Sequence, residues 1–269
     1  MVTIQKYVRA QSLEEAYQLN QAKTNKIIGG MLWLKMGSGN ISTAIDLCDL
    51  GLNTIEENDK QFSIGASVTL RQLELHQGLN SYTNNAICNA VKDIVGVQFR
   101  NLATIGGSIW GRFGFSDVLT CFMAMDCYVE LFNAGVIPIS KFAYMKYDND
   151  LIIRIIVKKT PGYFNYSSMR AQRTDFPIIA CALSCINGKY TAVIGARPHR
   201  AMSVTDNENI LSGEITEESA DKFAKYVAEN IKTGSNSRGS ASYRKQLIEV
   251  LTKRGILSMI SSMKEGEHK

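Results

Sequence analysis

The chain has 269 residues, with 30 Lys and Arg against 25 Asp and Glu, a net charge of +5, 45% hydrophobic residues and 20% charged ones. Enough apolar material for real cores, together with only 4 prolines, excludes a disordered or collagen-like chain. Basic residues are scattered among acids, which argues against a nucleic-acid-binding arm, and no run of 18 apolar residues offers a membrane span. Length allows one large domain or two modest ones. The start, Met1 to Tyr7, lacks the apolar core of a signal peptide. Cysteines 48, 88, 121, 127, 181 and 185 form no Cys-x-x-Cys, and most sit among apolar neighbours, as reduced thiols of a cytoplasmic protein do.

In chain order, Thr3–Arg9 suits a short strand, and Ser12 with Glu15 forms a capping-box signature for a helix through about Ala22. Lys26-Ile27-Ile28 is a brief strand stopped by Gly29-Gly30, and Ala44–Leu47 is another, so the opening is βαβ-like. Asn53–Glu57 and Gln61–Ser67 read as a hairpin through Asn58-Asp59. Helices are predicted over Leu70–His76 and Asn85–Val95, then a loop over Ala103–Ser116 and a helix over Asp117–Met125. Cys127–Phe132 and Leu151–Val157 have the apolar density of buried strands. After a boundary near Thr160-Pro161-Gly162, Tyr163–Arg170 and Ile178–Ile186 read as strands. The second of these meets Tyr190–Ala196 across Asn187-Gly188, where both positions tolerate positive φ. Two amphipathic helices, Glu217–Ile231 and Ser240 to about Met263, close an α+β chain of two domains.

Several chemistries have no anchor. His76, His199 and His268 lack ligand-like spacing, His76 reading as a helix-end residue and His268 as part of a frayed tail. There is no Gly-x-Ser-x-Gly elbow and no Gly-Lys-Ser/Thr phosphate loop, and Gly37-Ser38-Gly39 reads as a turn. No metal site and no acid/base pair stand out.

Two glycine loops rise above this background. Ile27-Ile28-Gly29-Gly30-Met31-Leu32-Trp33 runs from a strand into two glycines and a helix-like stretch. Asn101-Leu102-Ala103-Thr104-Ile105-Gly106-Gly107-Ser108 precedes Ser116-Asp117, which opens an apolar helix. Glycine pairs at such places let backbone N–H groups approach a phosphate; they equally suit two tight turns of a packed fold.

These blocks, in order with Ile64-Gly65-Ala66-Ser67-Val68-Thr69-Leu70-Arg71-Gln72-Leu73-Glu74 between them and Gly239-Ser240-Ala241-Ser242-Tyr243-Arg244-Lys245 near the end, carry a resemblance over nearly the whole chain. The chain resembles the FAD-binding medium subunit of molybdenum hydroxylases, the xanthine dehydrogenase and carbon monoxide dehydrogenase family. The resemblance implies a vanillyl-alcohol-oxidase-type FAD-binding fold over residues 1–160, with subdomains of about 1–55 and 56–160, and a C-terminal α+β domain over 161–269. It implies that Lys26, Ile27, Ile28, Gly29, Gly30, Met31, Leu32 and Trp33 wrap the FAD pyrophosphate. Thr104, Gly107 and Ser108, with Gly106 in the same block, would contact the pyrophosphate and its surroundings, and Ile105 would lie near the isoalloxazine. Asp117, with Ser116 before it, would accept hydrogen bonds from polar groups of the cofactor. Ile94 and Ile153 correspond to apolar positions that line the FAD pocket.

The resemblance further implies an electron-transfer oxidoreductase subunit, passing electrons from [2Fe–2S] clusters on a partner through FAD to NAD+ or another acceptor. Molybdopterin and [2Fe–2S] would sit only on a large and a small partner subunit. A flavin-less scaffold of the same fold and a stand-alone flavin reductase or oxidase are the alternatives. Two departures from the family pattern stand out. Trp110-Gly111-Arg112-Phe113-Gly114-Phe115 replaces the usual Ala-Ser-Pro, and either stacks on the cofactor and shapes acceptor approach or packs on a partner subunit. The Lys that many relatives carry in the first C-terminal strand is missing between Tyr163 and Met169; Arg170 either substitutes in part or is an ion-pair residue.

Overall fold

The computed structural model describes residues 1–267, with side chains through Lys264, so His268 lies outside the described residues. The strands are β1 (Thr3–Arg9), β2 (Lys26–Ile28), β3 (Asn40–Asp46), β4 (Ile55–Glu57), β5 (Gln61–Gly65), β6 (Cys127–Leu131), β7 (Gly135–Pro138), β8 (Ile152–Lys158), β9 (Gly162–Arg170), β10 (Pro177–Ile186), β11 (Lys189–Gly195) and β12 (Met202–Thr205). The helices are α1 (Leu13–Asn20), α2 (Leu70–Leu75), α3 (Gln77–Tyr82), α4 (Ala86–Val91), α5 (Val97–Leu102), α6 (Ile105–Trp110), α7 (Asp117–Phe122), α8 (Ile139–Phe142), α9 (Glu217–Asn230) and α10 (Ala241–Glu267). They form two compact units that interleave along the chain. One comprises Met1–Leu73, Gly96–Gly111 and Cys127–Lys158; the other comprises Glu74–Val95, Arg112–Asp126 and the chain from Lys159 onward.

The first unit holds two sheets. One is parallel, in the order β1-β3-β2; the other is antiparallel, in the order β4-β5-β8-β6-β7. Helix α1 starts where Ser12 Oγ accepts the Glu15 N–H at 3.1 Å, while Glu15 Oε2 reaches back to the Gln11 N–H at 2.7 Å, one residue before the cap. Ala16 of this helix joins Ala10, Ile45, Leu47, Leu52, Leu151 and Ile153 in one buried apolar cluster. β8 lies inside its sheet between β5 and β6, which is why Ile-Ile-Arg-Ile-Ile-Val is nearly continuous in apolar residues.

The second unit is built on the antiparallel sheet β12-β11-β10-β9. Strand β10 is buried on both faces, hence its unbroken run Pro177–Cys185. One face carries Ile179, Cys181, Leu183 and Cys185 into the core shared with α9 and α10. The other lies against α7, where only small residues fit: a Cβ on Gly195, the cross-strand partner of Ala180, would stand 2.1 Å from Thr120 Oγ1. Helix α9 is fixed by a capping box between Thr216 and Ser219, and buries Ala220, Phe223, Ala224, Val227 and Ala228 on one stripe. The Asn187-Gly188 turn has φ of 51° and 76°, as the sequence predicts for a tight hairpin. Open space surrounds Gly188. Gly188→Ala is therefore expected to cost about 1 kcal/mol through backbone strain alone, lowering the melting temperature by roughly 2–4 °C.

The structure corrects three local expectations. The predicted loop Ala103–Ser116 contains helix α6, because Thr104 caps it and Gly106 packs on Ala66. The helix-like stretch after Gly30 is a turn followed by a single 3-10 turn at Leu34–Met36. Helix α3 follows α2 directly: His76, read as a helix-end residue, accepts the Leu79 N–H on Nδ1 at 3.1 Å and caps α3.

Candidate functional site

In the first unit the two glycine loops meet. Parallel pairing of Ile27 with Ile45 delivers the chain to Gly29-Gly30 at the end of β2. There the first loop rests on the backbone of the second. A Cβ on Gly30 would lie 1.9 Å from the Leu102 carbonyl oxygen, and one on Gly29 would lie 2.8 Å from Thr104 Oγ1. At Gly30 the obstacle is main chain, so close approach admits glycine alone.

The second loop is held by the segment that follows β5. Ile105 N–H bonds Val68 O at 2.8 Å, Gly106 N–H bonds Ala66 O at 2.9 Å, and Leu70 N–H bonds Ala103 O at 2.8 Å. A Cβ on Gly106 would lie 2.6 Å from Ala66 O. Thr104 Oγ1 accepts the Gly107 N–H at 3.2 Å, and Ser108 Oγ donates to Thr104 O at 2.9 Å. The amides of residues 105–108 are thus all engaged within the chain, since Ser108 N–H also bonds Thr104 O at 3.0 Å. Reading both glycine pairs as phosphate cradles made of N–H groups needs correction at the second pair, where Gly106 serves packing instead.

The first loop is different. Among the described residues, the amides of Gly30, Met31 and Leu32 bond no acceptor of the chain. Met31 takes a left-handed conformation, φ 56°, at a cost of about 1 kcal/mol. Three consecutive unclaimed donors beside a backbone contact that tolerates no Cβ suit a phosphate-bearing cofactor. Around them Lys26 is exposed, Ile27, Ile28 and Leu32 are half-buried, and Trp33 is exposed with an edge-on contact to Phe99 at 6.4 Å. Ile105 is fully buried, and Ile153, 8% exposed, lies in an apolar cluster with residues of β3 and α1.

The second unit holds Ile94, Ser116, Asp117 and Arg170. Ile94 is half-buried in the turn after α4. Ser116 caps α7 by accepting the Leu119 N–H at 3.1 Å. Asp117 is buried and ion-paired to Arg170 Nη2 at 2.6 Å, with side-chain exposures of 6% and 7%. Tyr166 Oη donates to the same oxygen, Oδ1. Burial pushes the Asp117 carboxyl up, while Arg170 and the Tyr166 hydroxyl pull it back. Burial also pushes the Tyr166 phenol well up, so it stays a donor. Of the two readings of Arg170, the ion pair is the one observed. Tyr166 is the residue that sequence reasoning missed.

The divergent segment makes several contacts within its own chain, while Phe113 stays 42% exposed. Trp110 lies 6.2 Å from Phe142 in the first unit. In the second unit Phe115 stacks on Phe113 at 5.1 Å and meets Phe176 edge-on at 4.6 Å. Ala196 N–H bonds Gly114 O at 2.7 Å, and Arg112 is buried.

Among the described residues no group of His, Cys, Asp and Glu is placed to hold a metal, and no helix is long and apolar enough to cross a membrane. A glycine loop with open amides on an α+β frame suits a phosphate-bearing cofactor. Residues 2–159 match the FAD binding domain in molybdopterin dehydrogenase, and residues 164–259 match the CO dehydrogenase flavoprotein C-terminal domain. The chain belongs to this family of oxidoreductase flavoproteins, and FAD is the cofactor of its first domain. It is 25% identical to the glyceraldehyde dehydrogenase medium chain of Sulfolobus acidocaldarius, over 91% of this chain and 95% of that one. It is 24% identical to the xanthine dehydrogenase FAD-binding subunit of Escherichia coli O157:H7, over 81% and 80%. The fold is that of a chain of quinoline 2-oxidoreductase from Pseudomonas putida 86, with TM-score 0.85, 19% identity and coverage of 96% and 97%.

Proposed function

We propose that this chain is the electron-transfer flavoprotein subunit of a cytoplasmic molybdenum hydroxylase, with a molybdopterin-bearing large subunit and a [2Fe–2S] small subunit as partners. Its electrons come from the small subunit's clusters and leave to NAD+ or another acceptor. In this reading the FAD-binding domain spans residues 1–160 and the C-terminal domain begins at 161. When bound, FAD supplies the exchange between single-electron and two-electron transfer. The chain's own work is to hold and orient it, which fits the lack of an acid/base pair in the sequence.

The observation that carries the reading is the set of open amides at Gly30, Met31 and Leu32, which suit a pyrophosphate as their acceptor. Thr104, Gly107 and Ser108 form the floor against which that loop is set, and Lys26 to Ile28 and Trp33 flank it. The family resemblance adds Asp117, with Ser116 before it, as an acceptor for a polar group of the cofactor, and Ile94 as an apolar lining residue.

Two of the relatives are named as a medium chain and an FAD-binding subunit, which supports heteromeric assembly. The test is the visible spectrum of the chain purified with its partners, with the cofactor identified after denaturation. Bands near ~370 and ~450 nm with FAD released are expected; a colourless complex that takes up no added FAD overturns the reading.

A further inference from the structure

The net charge of +5 is scattered along the sequence, yet the fold gathers it at one end of the second unit. Antiparallel pairing brings the exit of β9, the entry of β10, the exit of β11 and the entry of β12 to the same end of their sheet. The connection from α9 to α10 reaches that end too, since Arg197 Nη1 donates to Lys232 O at 2.5 Å and Gly234 N–H to Arg197 O at 2.7 Å. Residues 112–116 join through the bond from Ala196 N–H to Gly114 O. These four loops, 112–116, 171–176, 196–201 and 231–240, hold Arg112, Arg173, Arg197, Arg200, Lys232 and Arg238 against one acid, Asp175. That excess equals the net charge of the whole chain, so the rest of the sequence is neutral in sum. At the opposite end of the sheet, residues 206–218 hold Asp206, Glu208, Glu214, Glu217 and Glu218 and no base.

Much of the basic end faces solvent. Arg173, with a side chain 80% exposed, and Arg238 meet Asp93 and Asp175 at 2.8 and 3.2 Å, and Lys232 is exposed. Surface pairs of this kind are weak, and a partner's carboxylates replace them readily. Arg238 also lies over the Phe176 ring at 4.9 Å, which continues through Phe115 to the exposed Phe113. Aromatic and Arg side chains together are the composition enriched in protein interfaces. Cations on separate loops match several spaced carboxylates better than they match one phosphate. Permanent interfaces are more apolar than a patch with one exposed aromatic, so the match is to a partner that comes and goes.

We propose that this end of the second unit docks the acidic face of a separate protein, steered by the chain's net charge and seated on Phe113. The inference stands apart from the FAD reading, because no residue of the glycine loops takes part.

Fluorescence anisotropy of labelled poly-L-glutamate and of a labelled glutamate–tyrosine copolymer, added to the full chain purified with its partners, tests this. Wild type is expected to bind both, the copolymer more tightly, and to release both with added salt. Arg173→Glu combined with Lys232→Glu is expected to weaken both about tenfold. Lys189→Glu, at the far end of the sheet, is expected to change neither by more than about twofold. Phe113→Ala is expected to remove only the copolymer's advantage. Should the double variant melt below wild type, each single reversal carries the test. Absence of binding, or wild-type binding by the reversed chains, overturns the proposal. So does duplex DNA or an anionic vesicle that binds as tightly as the copolymer, or inorganic pyrophosphate that competes as well. Loss of the partner subunits from the reversed chains also overturns it, because the surface then lies inside the complex.

Discussion

Gly30→Ala is expected to strip FAD from the chain and to destabilise its first unit. The new Cβ would sit 1.9 Å from the Leu102 oxygen and 2.4 Å from its carbonyl carbon. Neither atom can rotate away, since Leu102 ends α5 and the following Ala103 is tied through its carbonyl to Leu70 N–H. One loop must therefore lift off the other. Overpacking of this kind costs about 3 kcal/mol, and the amides of Gly30, Met31 and Leu32 lose their common aim with it. Flavin content per chain after purification, with a melting curve, checks the result. Gly107→Ala is the control for steric crowding. Its Cβ would meet only Thr104 Oγ1, at 3.2 Å, and helix propensity gains about 1 kcal/mol from alanine. It is expected to melt within about 2 °C of wild type while weakening FAD binding, because Gly107 is exposed where the cofactor lies in the proposed reading. Unaltered FAD binding by Gly107→Ala would remove that residue from the site.

What could be read from the sequence divides by the range of the interactions involved. Strand β1, the Ser12 cap and the Asn187-Gly188 hairpin are local devices, and the pattern of residues shows each one. Helix α6 was hidden for the opposite reason. Two glycines in six residues have poor helix propensity, and the helix exists because Thr104 caps it while Ala66 and Val68 accept its first amides. Those acceptors lie some forty residues upstream. β7 and β12, four residues each, carry too little alternation to register. At the candidate site the glycine pairs were visible, but not the division of labour between them. Gly30, with Met31 and Leu32 after it, leaves its amide open, whereas the second pair spends its amides on the fold. The partners of Asp117 stand 49 and 53 residues away, a spacing that means nothing until β9 is laid beside α7.

Arg244 is a buried cation with no carboxylate partner among the described residues. It is 1% exposed, among the largest fully buried side chains of the protein. Its Nε donates to Ile178 O at 2.8 Å, Nη1 to Gly234 O at 2.8 Å and to Gly239 O, and Nη2 to Asn236 Oδ1 at 2.6 Å. Burial pushes its pKa down with no opposing charge, yet a guanidinium starts so high that it stays protonated. The residue therefore works as a clamp that fastens the 234–239 loop and the start of α10 to strand β10. Arg244→Met fills the volume but leaves Ile178 O and Gly234 O without a donor, while Asn236 Oδ1 keeps the Arg238 N–H and Gly239 O keeps the Asn236 N–H, for a total of about 2 kcal/mol. The melting temperature is expected to fall by roughly 4–8 °C. Arg244→Lys is expected to recover little of this, because one ammonium cannot reach acceptors spread over a planar fork of donors. The two variants separate charge from geometry. If Lys melts near wild type, the loop needs only a positive charge; if Lys and Met fall together, the fork holds the second unit's C-terminal helix in place.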